Sequence, residues 1–131
     1  MTPELTYLFY AVILLVVHVF AQATLSDLSK GLGWALGSQD EHRDQNVYAE
    51  RLQRALRNYL ETFPAFAVLA LILAQTDSGT AASATGAALY FWGRVAYIPC
   101  RLSGLPLVRS VAWFVAIGGI VLMMLPLFSA G

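Results

Sequence analysis

The chain has 131 residues, of which 58% are hydrophobic and only 12% are charged, and its formal net charge is zero. This composition is too apolar for an ordinary water-soluble domain, so it predicts one small integral membrane domain covering residues 1–131. Zero net charge gives no reason to expect a nucleic-acid partner. The single cysteine, Cys100, excludes an internal disulfide, and the sequence has no Cys/His cluster with metal-ligand spacing, so no metal site is predicted.

Residues 5–25 form the first apolar run, in which His18 and Gln22 are among the few polar residues. The run is too long for the apolar region of a signal peptide and no basic residue precedes it, so it predicts a first transmembrane helix. His18 and Gln22 lie four residues apart and share a helix face. They either form part of a polar pocket or hydrogen-bond a neighbouring helix, and we favour the second interpretation.

The next segment, residues 26–46, is rich in Gly, Ser, Asp and Gln, and its three glycines argue against a long regular helix. We interpret it as one long loop that extends over a site. A second connection, residues 75–79, contains Asp77 and Gly79 and is predicted to be a tight turn.

Residues 48–73 are predicted to form a second helix with a polar first half and an apolar second half. Six polar side chains fall within about 120° of helical arc: Glu50, Arg51, Arg54, Arg57, Asn58 and Glu61. The apolar part, residues 62–74, would rise only about 20 Å, which is short of a bilayer core of about 30 Å. The turns around Asn58 and Glu61 must therefore enter the membrane, where ionisable groups by default mark a functional site.

Two further spans complete an all-α, four-helix prediction. Residues 80–100 begin with a run of small residues that favours close helix packing. At their far end Arg94, Tyr97 and Arg101 share a face if the helix continues past Pro99, but a proline disfavours helical geometry at Ile98 and predicts that Arg101 lies beyond the helix end. The fourth span is predicted over residues 107–128.

The basic residues predict the orientation. All eight lysines and arginines lie toward the side that holds the long loop and the turn between the third and fourth spans. The positive-inside rule therefore predicts a multi-pass membrane protein, in the plasma membrane if bacterial, with both termini outside.

Five arginines are predicted to converge in the cytoplasmic half of the bundle, with only Glu50 and Glu61 close enough to neutralise them: Arg51, Arg54, Arg94, Arg101 and Arg109. An excess of buried positive charge requires an anion, and guanidinium groups bind carboxylates and phosphates through paired hydrogen bonds. Asn58 and Glu61 would add groups that bond an amide and an ammonium, which suggests a peptide-like ligand. The alternative is that Glu61 simply pairs with an arginine of an adjacent helix.

The stretch E-R-L-Q-R-A-L-R-N-Y-L-E, residues 50–61, resembles the second-helix signature E-R-x-x-R-A-x-x-N-x-x-E of the membrane-associated proteins in eicosanoid and glutathione metabolism (MAPEG) family. G-R-V-A-Y at 93–97 and P-L-V-R-S at 106–110 are similar to the family's third-helix end and fourth-helix start. The resemblance implies a homotrimer of four-helix subunits that binds glutathione, as a co-substrate, between neighbouring subunits in the cytoplasmic half.

Carried over by position, the resemblance implies that glutathione is held by second-helix residues Arg51, Arg54, Asn58 and Glu61, and by third-helix residues Arg94 and Tyr97. Arg109 matches the family arginine near the sulfur, with Ser110 beside it, and a fixed cation there favours the nucleophilic thiolate. Two positions depart from the family.

At the first departure, Arg101 stands where the family commonly has a tyrosine, and it would bind a carboxylate. At the second, Leu56 stands where one branch has a polar contact residue.

These observations predict a glutathione-dependent transferase or peroxidase acting on small apolar electrophiles or lipid hydroperoxides, with Arg109 as the catalytic residue. The alternatives are a non-catalytic lipid- or glutathione-binding member of the family, a small transporter, or a subunit of a larger complex. A proton-coupled exporter would need an isolated membrane carboxylate in its first helix, and residues 5–25 contain none.

Overall fold

The computed structural model describes residues 1–38 and 43–129, which form five α-helices. They are α1 (Pro3–Lys30), α2 (Leu32–Leu36), α3 (Val47–Gln75), α4 (Ala81–Ser103) and α5 (Pro106–Ser129). The four long helices correspond to the four predicted spans. The short helix α2 was not predicted, because it lies within the segment interpreted as a loop, whose residues 39–42 fall outside the described part of the chain.

Helix α1 is longer than predicted at both ends. It begins after Thr2, whose Oγ1 accepts a hydrogen bond from the Leu5 backbone N–H at 3.2 Å. It continues through the polar residues after Leu25 and ends at Gly31, which has φ +107°. Polar composition therefore did not end this helix. Gly31 ended it instead, because this glycine adopts a positive φ that other residues avoid.

Helix α4 continues through Pro99 to Ser103, so the predicted break at Ile98 was wrong. A proline inside a helix removes one backbone hydrogen bond, and packing of the flanking turns on α5 keeps this helix intact. Arg101 consequently lies in the last turn of α4. The helix ends at Gly104, which has φ +76°.

Helices α4 and α5 approach so closely that their backbones touch at Gly86 and Gly119. A Cβ on either glycine would lie 2.4 Å from the other residue's carbonyl oxygen. Small residues permit this separation, as the composition of the third span predicted. The pair α4–α5 then packs against α1 and α3.

We expect Gly119→Ala to destabilise the protein by about 1–3 kcal/mol, because the added methyl group must push two backbones apart. Gly118→Ala is the matched control, since a Cβ on Gly118 would meet nothing within 4 Å. Thermal unfolding in detergent compares the two variants. Equal melting temperatures would show that the close approach of α4 and α5 does not stabilise the fold.

Polar side chains inside the bundle bond across helices. Tyr59 Oη donates to the Ala11 carbonyl oxygen at 2.6 Å, and Thr62 Oγ1 bonds Tyr90 Oη at 2.9 Å. The buried His18 lies with Nε2 3.1 Å from the Leu52 carbonyl oxygen of α3. The interpretation that His18 hydrogen-bonds a neighbouring helix is therefore confirmed.

The first helix also contains a carboxylate that the predicted span of 5–25 left out. Glu4 lies in the first turn of α1, is 2% exposed and accepts a hydrogen bond from Ser83 Oγ of α4 at 2.5 Å. It lies at one end of the helix and is bonded to another helix. A proton-coupled exporter would need an isolated carboxylate at membrane depth, and Glu4 does not meet that requirement.

Three helices of the described chain, α1, α3 and α5, are long and apolar enough to cross a membrane. Helix α4 is not among them, because small residues and Arg94 interrupt every stretch of it that is long enough to cross a membrane. Large apolar side chains cover the outside of the bundle, including Phe20 at 70% exposure and Phe128 at 76%. An exterior of this kind suits lipid rather than water, and the protein is an integral membrane protein.

Candidate functional site

The first half of α3, the last turns of α4 and the start of α5 enclose an open cavity of about 480 Å³, here called the first cavity. Its lining residues include four arginines, one carboxylate, one amide and an aromatic wall: Arg54, Arg57, Asn58, Glu61, Tyr97, Arg101, Arg109, Ser110, Trp113 and Phe114. Cationic groups outnumber the acidic one among the described lining residues, so the cavity suits an anionic ligand.

A second cavity of about 200 Å³ lies beside it, toward the turn between α4 and α5. Its lining residues are Arg51, Arg54, Cys100, Arg101, Gly104, Leu105 and Arg109. Arg54, Arg101 and Arg109 therefore face both cavities. The two spaces form one continuous region of positive charge at this end of the bundle.

Arg94 has a completely buried side chain and lines neither cavity. Its Nη1 donates to Asn58 Oδ1 at 2.7 Å, and its Nη2 donates to the Ala55 carbonyl oxygen at 3.3 Å. Its guanidinium carbon also lies 4.3 Å from the centre of the Tyr97 ring, close enough for a cation–π contact. Arg94 thus fastens α4 to α3 directly behind the first cavity.

The contact with Arg94 fixes the orientation of the Asn58 amide. A guanidinium carries only donors, so the atom of Asn58 that faces it must be the oxygen. The amide nitrogen of Asn58, which also lines the first cavity, is then left to donate to whatever the cavity holds. Asn58 can therefore donate to an acceptor on a ligand, such as a carbonyl or carboxylate oxygen.

Arg51 is held by the end of α4. Its Nη1 donates to the Leu102 carbonyl oxygen at 3.0 Å, and its guanidinium lies 5.9 Å from the centre of the Tyr48 ring. Arg54 pairs with Glu50 at 3.6 Å in an exposed i,i+4 contact. Such exposed pairs contribute little stability and leave Arg54 able to bind another anion.

Four charged side chains of α3 are exposed on the surface of the single chain: Glu50, Arg54, Arg57 and Glu61. Asn58 of the same face is half-buried. Charged groups at membrane depth face a protein partner or a wet cavity, because lipid cannot solvate them. Arg54, Arg57 and Glu61 also line the open first cavity.

Comparison with known families decides what kind of protein carries this site. The model of the MAPEG family matches residues 7–129, nearly the whole chain. The chain belongs to the MAPEG family. No curated protein matches it significantly in sequence. Family membership supports, in general terms, a membrane function related to glutathione or eicosanoid metabolism.

The structure brings most of the predicted MAPEG site residues together. Six of them line the first cavity: Arg54, Asn58, Glu61, Tyr97, Arg101 and Arg109. Arg51 lines only the second cavity, and Arg94 lies behind the first. Tyr97 is 4% exposed and presents one side of its ring to Arg94.

Three residues of the first cavity were not predicted as site residues: Arg57, Trp113 and Phe114. Arg57 lies on the polar arc of α3, so its helical position would have identified it. Trp113 follows Arg109 by one turn of α5, and the same periodicity places both beside the cavity. Phe114 gives no polar signal in the sequence, and only the packing of α5 reveals its position.

Proposed function

We propose that the chain is a glutathione-dependent membrane transferase or peroxidase that binds glutathione in the first cavity. The observation that carries this proposal is the convergence of four guanidiniums, one carboxylate and one oriented amide beside an aromatic wall. A volume of about 480 Å³ lies within the range of roughly 300–1,000 Å³ found for small-molecule sites. Glutathione carries two carboxylates, one ammonium, two peptide groups and a thiol, and each has a suitable partner here.

The charged ends of glutathione would be bound by opposite charges in the cavity wall. Arg54, Arg57 and Arg101 offer paired donors to its carboxylates. Glu61 offers a carboxylate to its ammonium, and the amide nitrogen of Asn58 donates to a peptide carbonyl. Arg94 is a positioning residue in this proposal, because it acts through Asn58 rather than on the ligand.

Arg109 is proposed to hold the sulfur as a thiolate. A guanidinium remains charged and does not give up its proton, so it stabilises the anion electrostatically. The thiolate then attacks an electrophilic carbon, forming a C–S bond while the leaving group departs with its electron pair. In peroxide reduction the thiolate instead attacks the terminal oxygen and breaks the O–O bond, which leaves a sulfenic acid on the sulfur and an alkoxide that takes a proton from water. A second glutathione then displaces water from that sulfur and forms the disulfide.

The second substrate is proposed to reach the site from the bilayer. Trp113 and Phe114 line the cavity, and Phe114 is 67% exposed on the outside of the bundle. An apolar electrophile or a lipid hydroperoxide dissolved in the membrane would contact these rings before it met the sulfur. Charged substrates would not gain from this approach.

We also propose a homotrimer of four-span subunits with the site on the cytoplasmic side and both termini outside. The exposed Arg57 and Glu61 support an assembly, because a neighbouring copy would remove their charges from lipid. Helix α4 would cross the membrane together with α1, α3 and α5, with Arg94 hidden inside the bundle. The distribution of lysine and arginine supports the orientation.

Glutathione titration of the detergent-purified protein tests the proposal. We expect the melting temperature to rise saturably with glutathione and with its analogue that has a methyl group in place of the thiol. Turnover with an aromatic electrophile or a lipid hydroperoxide should occur only with glutathione itself. Stabilisation without turnover on either substrate would indicate a non-catalytic binding protein, and no stabilisation would refute the glutathione site.

A further inference from the structure

The second cavity has a composition that differs from the first. Among the described residues that line it there are four arginines and no carboxylate. Within residues 1–38 and 43–129, no hydrogen bond or ion pair engages the guanidinium of Arg101 or Arg109. Guanidinium groups that lack a protein acceptor favour an anion, so the second cavity suits an anionic group as the first does.

The size and position of the second cavity restrict the kind of anion. Its volume of about 200 Å³ is below the roughly 300–1,000 Å³ of sites for drug-sized molecules, so it suits a small anion or a terminal anionic group. It lies at the turn between α4 and α5, at the basic end of the bundle. Basic cavities between helices at the cytoplasmic membrane surface are places where phosphate headgroups bind.

The backbone at the end of α4 holds the guanidinium of Arg51 at the second cavity, where a phosphate group could bind. A Cβ on Gly104 would lie 2.9 Å from Nη2 of Arg51. Glycine at this position therefore serves twice, since it adopts φ +76° and leaves the space that the guanidinium fills. Nη1 of Arg51 donates to the Leu102 carbonyl oxygen, and this bond anchors the Arg51 side chain at the edge of the cavity.

We infer that the second cavity is a phosphate subsite next to the proposed glutathione site, bound by Arg51 together with Arg101 and Arg109, which face both cavities. Guanidinium groups match the geometry of phosphate oxygens through paired N–H donors. The phosphate comes either from an anionic lipid headgroup or from solution. Arg51 lines the second cavity but not the first, so a change at Arg51 tests the subsite apart from the first cavity.

Phosphate binding is measured with the full-length protein in a zwitterionic detergent. Inorganic phosphate is titrated against chloride at constant ionic strength and followed by calorimetry. We expect saturable binding that Arg51→Gln weakens about tenfold, the loss expected for one charge-assisted hydrogen bond. Arg57→Gln is the matched control, since it removes the same charge from the first cavity only and should leave phosphate binding within about twofold.

A second arm distinguishes the two sources of phosphate. The protein is placed in nanodiscs of phosphatidylcholine with and without phosphatidylglycerol, and lipid retained after detergent extraction is quantified. Retention of phosphatidylglycerol that depends on Arg51 would identify a headgroup, whereas Arg51-dependent binding of free phosphate alone would identify a soluble ligand. If neither depends on Arg51, the inference is wrong.

A third measurement separates the subsite from the first cavity. Phosphate titration is repeated at saturating glutathione, and binding should persist with a modest loss, because the two anions repel each other and share three arginines. Complete competition would show that glutathione itself fills the second cavity, which would overturn the inference while leaving the proposed function intact.

Discussion

Arg109→Ala is expected to abolish the thiolate form of bound glutathione and to lower kcat by about 100-fold or more, the usual effect of removing one group that stabilises developing negative charge. Arg109 lines both cavities at the start of α5, where no described residue bonds its guanidinium. Its charge is thus available to the sulfur. The ultraviolet absorbance of the bound thiolate and steady-state kinetics with an aromatic electrophile measure the two effects.

Arg109→Lys is the matched control for charge. A lysine keeps the cation but lacks the planar fork of donors, so it should retain part of the thiolate signal and part of kcat. Ser110→Ala tests the neighbouring hydroxyl, which donates to the Pro106 carbonyl oxygen at 2.9 Å and should matter less. Normal absorbance and turnover in Arg109→Ala would refute the role assigned to this arginine.

Arg94→Ala is expected to reduce the free energy of unfolding by about 2–5 kcal/mol. The change would empty the volume of a large, completely buried side chain and remove the bonds that it donates to Asn58 Oδ1 and to the Ala55 carbonyl oxygen. It would also release the Asn58 amide to rotate. The free energy of unfolding in detergent and the affinity for glutathione should therefore both decrease.

Asn58→Asp separates the positioning role of Arg94 from its structural role. An aspartate still accepts from Arg94, so the protein should stay folded, but it lacks the amide donor that faces the first cavity. We expect near-normal stability with glutathione binding about tenfold weaker, seen in KM more than in kcat. Unchanged KM in Asn58→Asp would show that the amide does not contact the ligand.

The sequence predicted the four long helices because hydrophobic length and turn residues are local signals. The prediction was wrong where one type of residue alone suggested that a helix would end. Pro99 did not end α4, since packing on α5 outweighs one lost hydrogen bond. The polar residues after Leu25 did not end α1 either, and the helix stops only at Gly31.

The site residues were predictable to the extent that helical periodicity determines them. Arg54, Asn58 and Glu61 follow one face of α3 and line one cavity, as their spacing indicates. The depth of Arg94 was not predictable, because Arg94 and Arg101 share a face of α4 yet one is buried and the other half-exposed. That difference depends on how deeply each turn of α4 lies against α3.

The burial of Arg94 has a consequence for how the protein is made. In the proposed four-span arrangement, α4 is the helix that is not apolar enough to be a candidate span by itself, and both described hydrogen bonds of its buried guanidinium go to α3. Such a segment does not partition from the translocation channel into lipid alone. We therefore expect α3 to stay beside the channel until α4 emerges, so that the two leave together during synthesis.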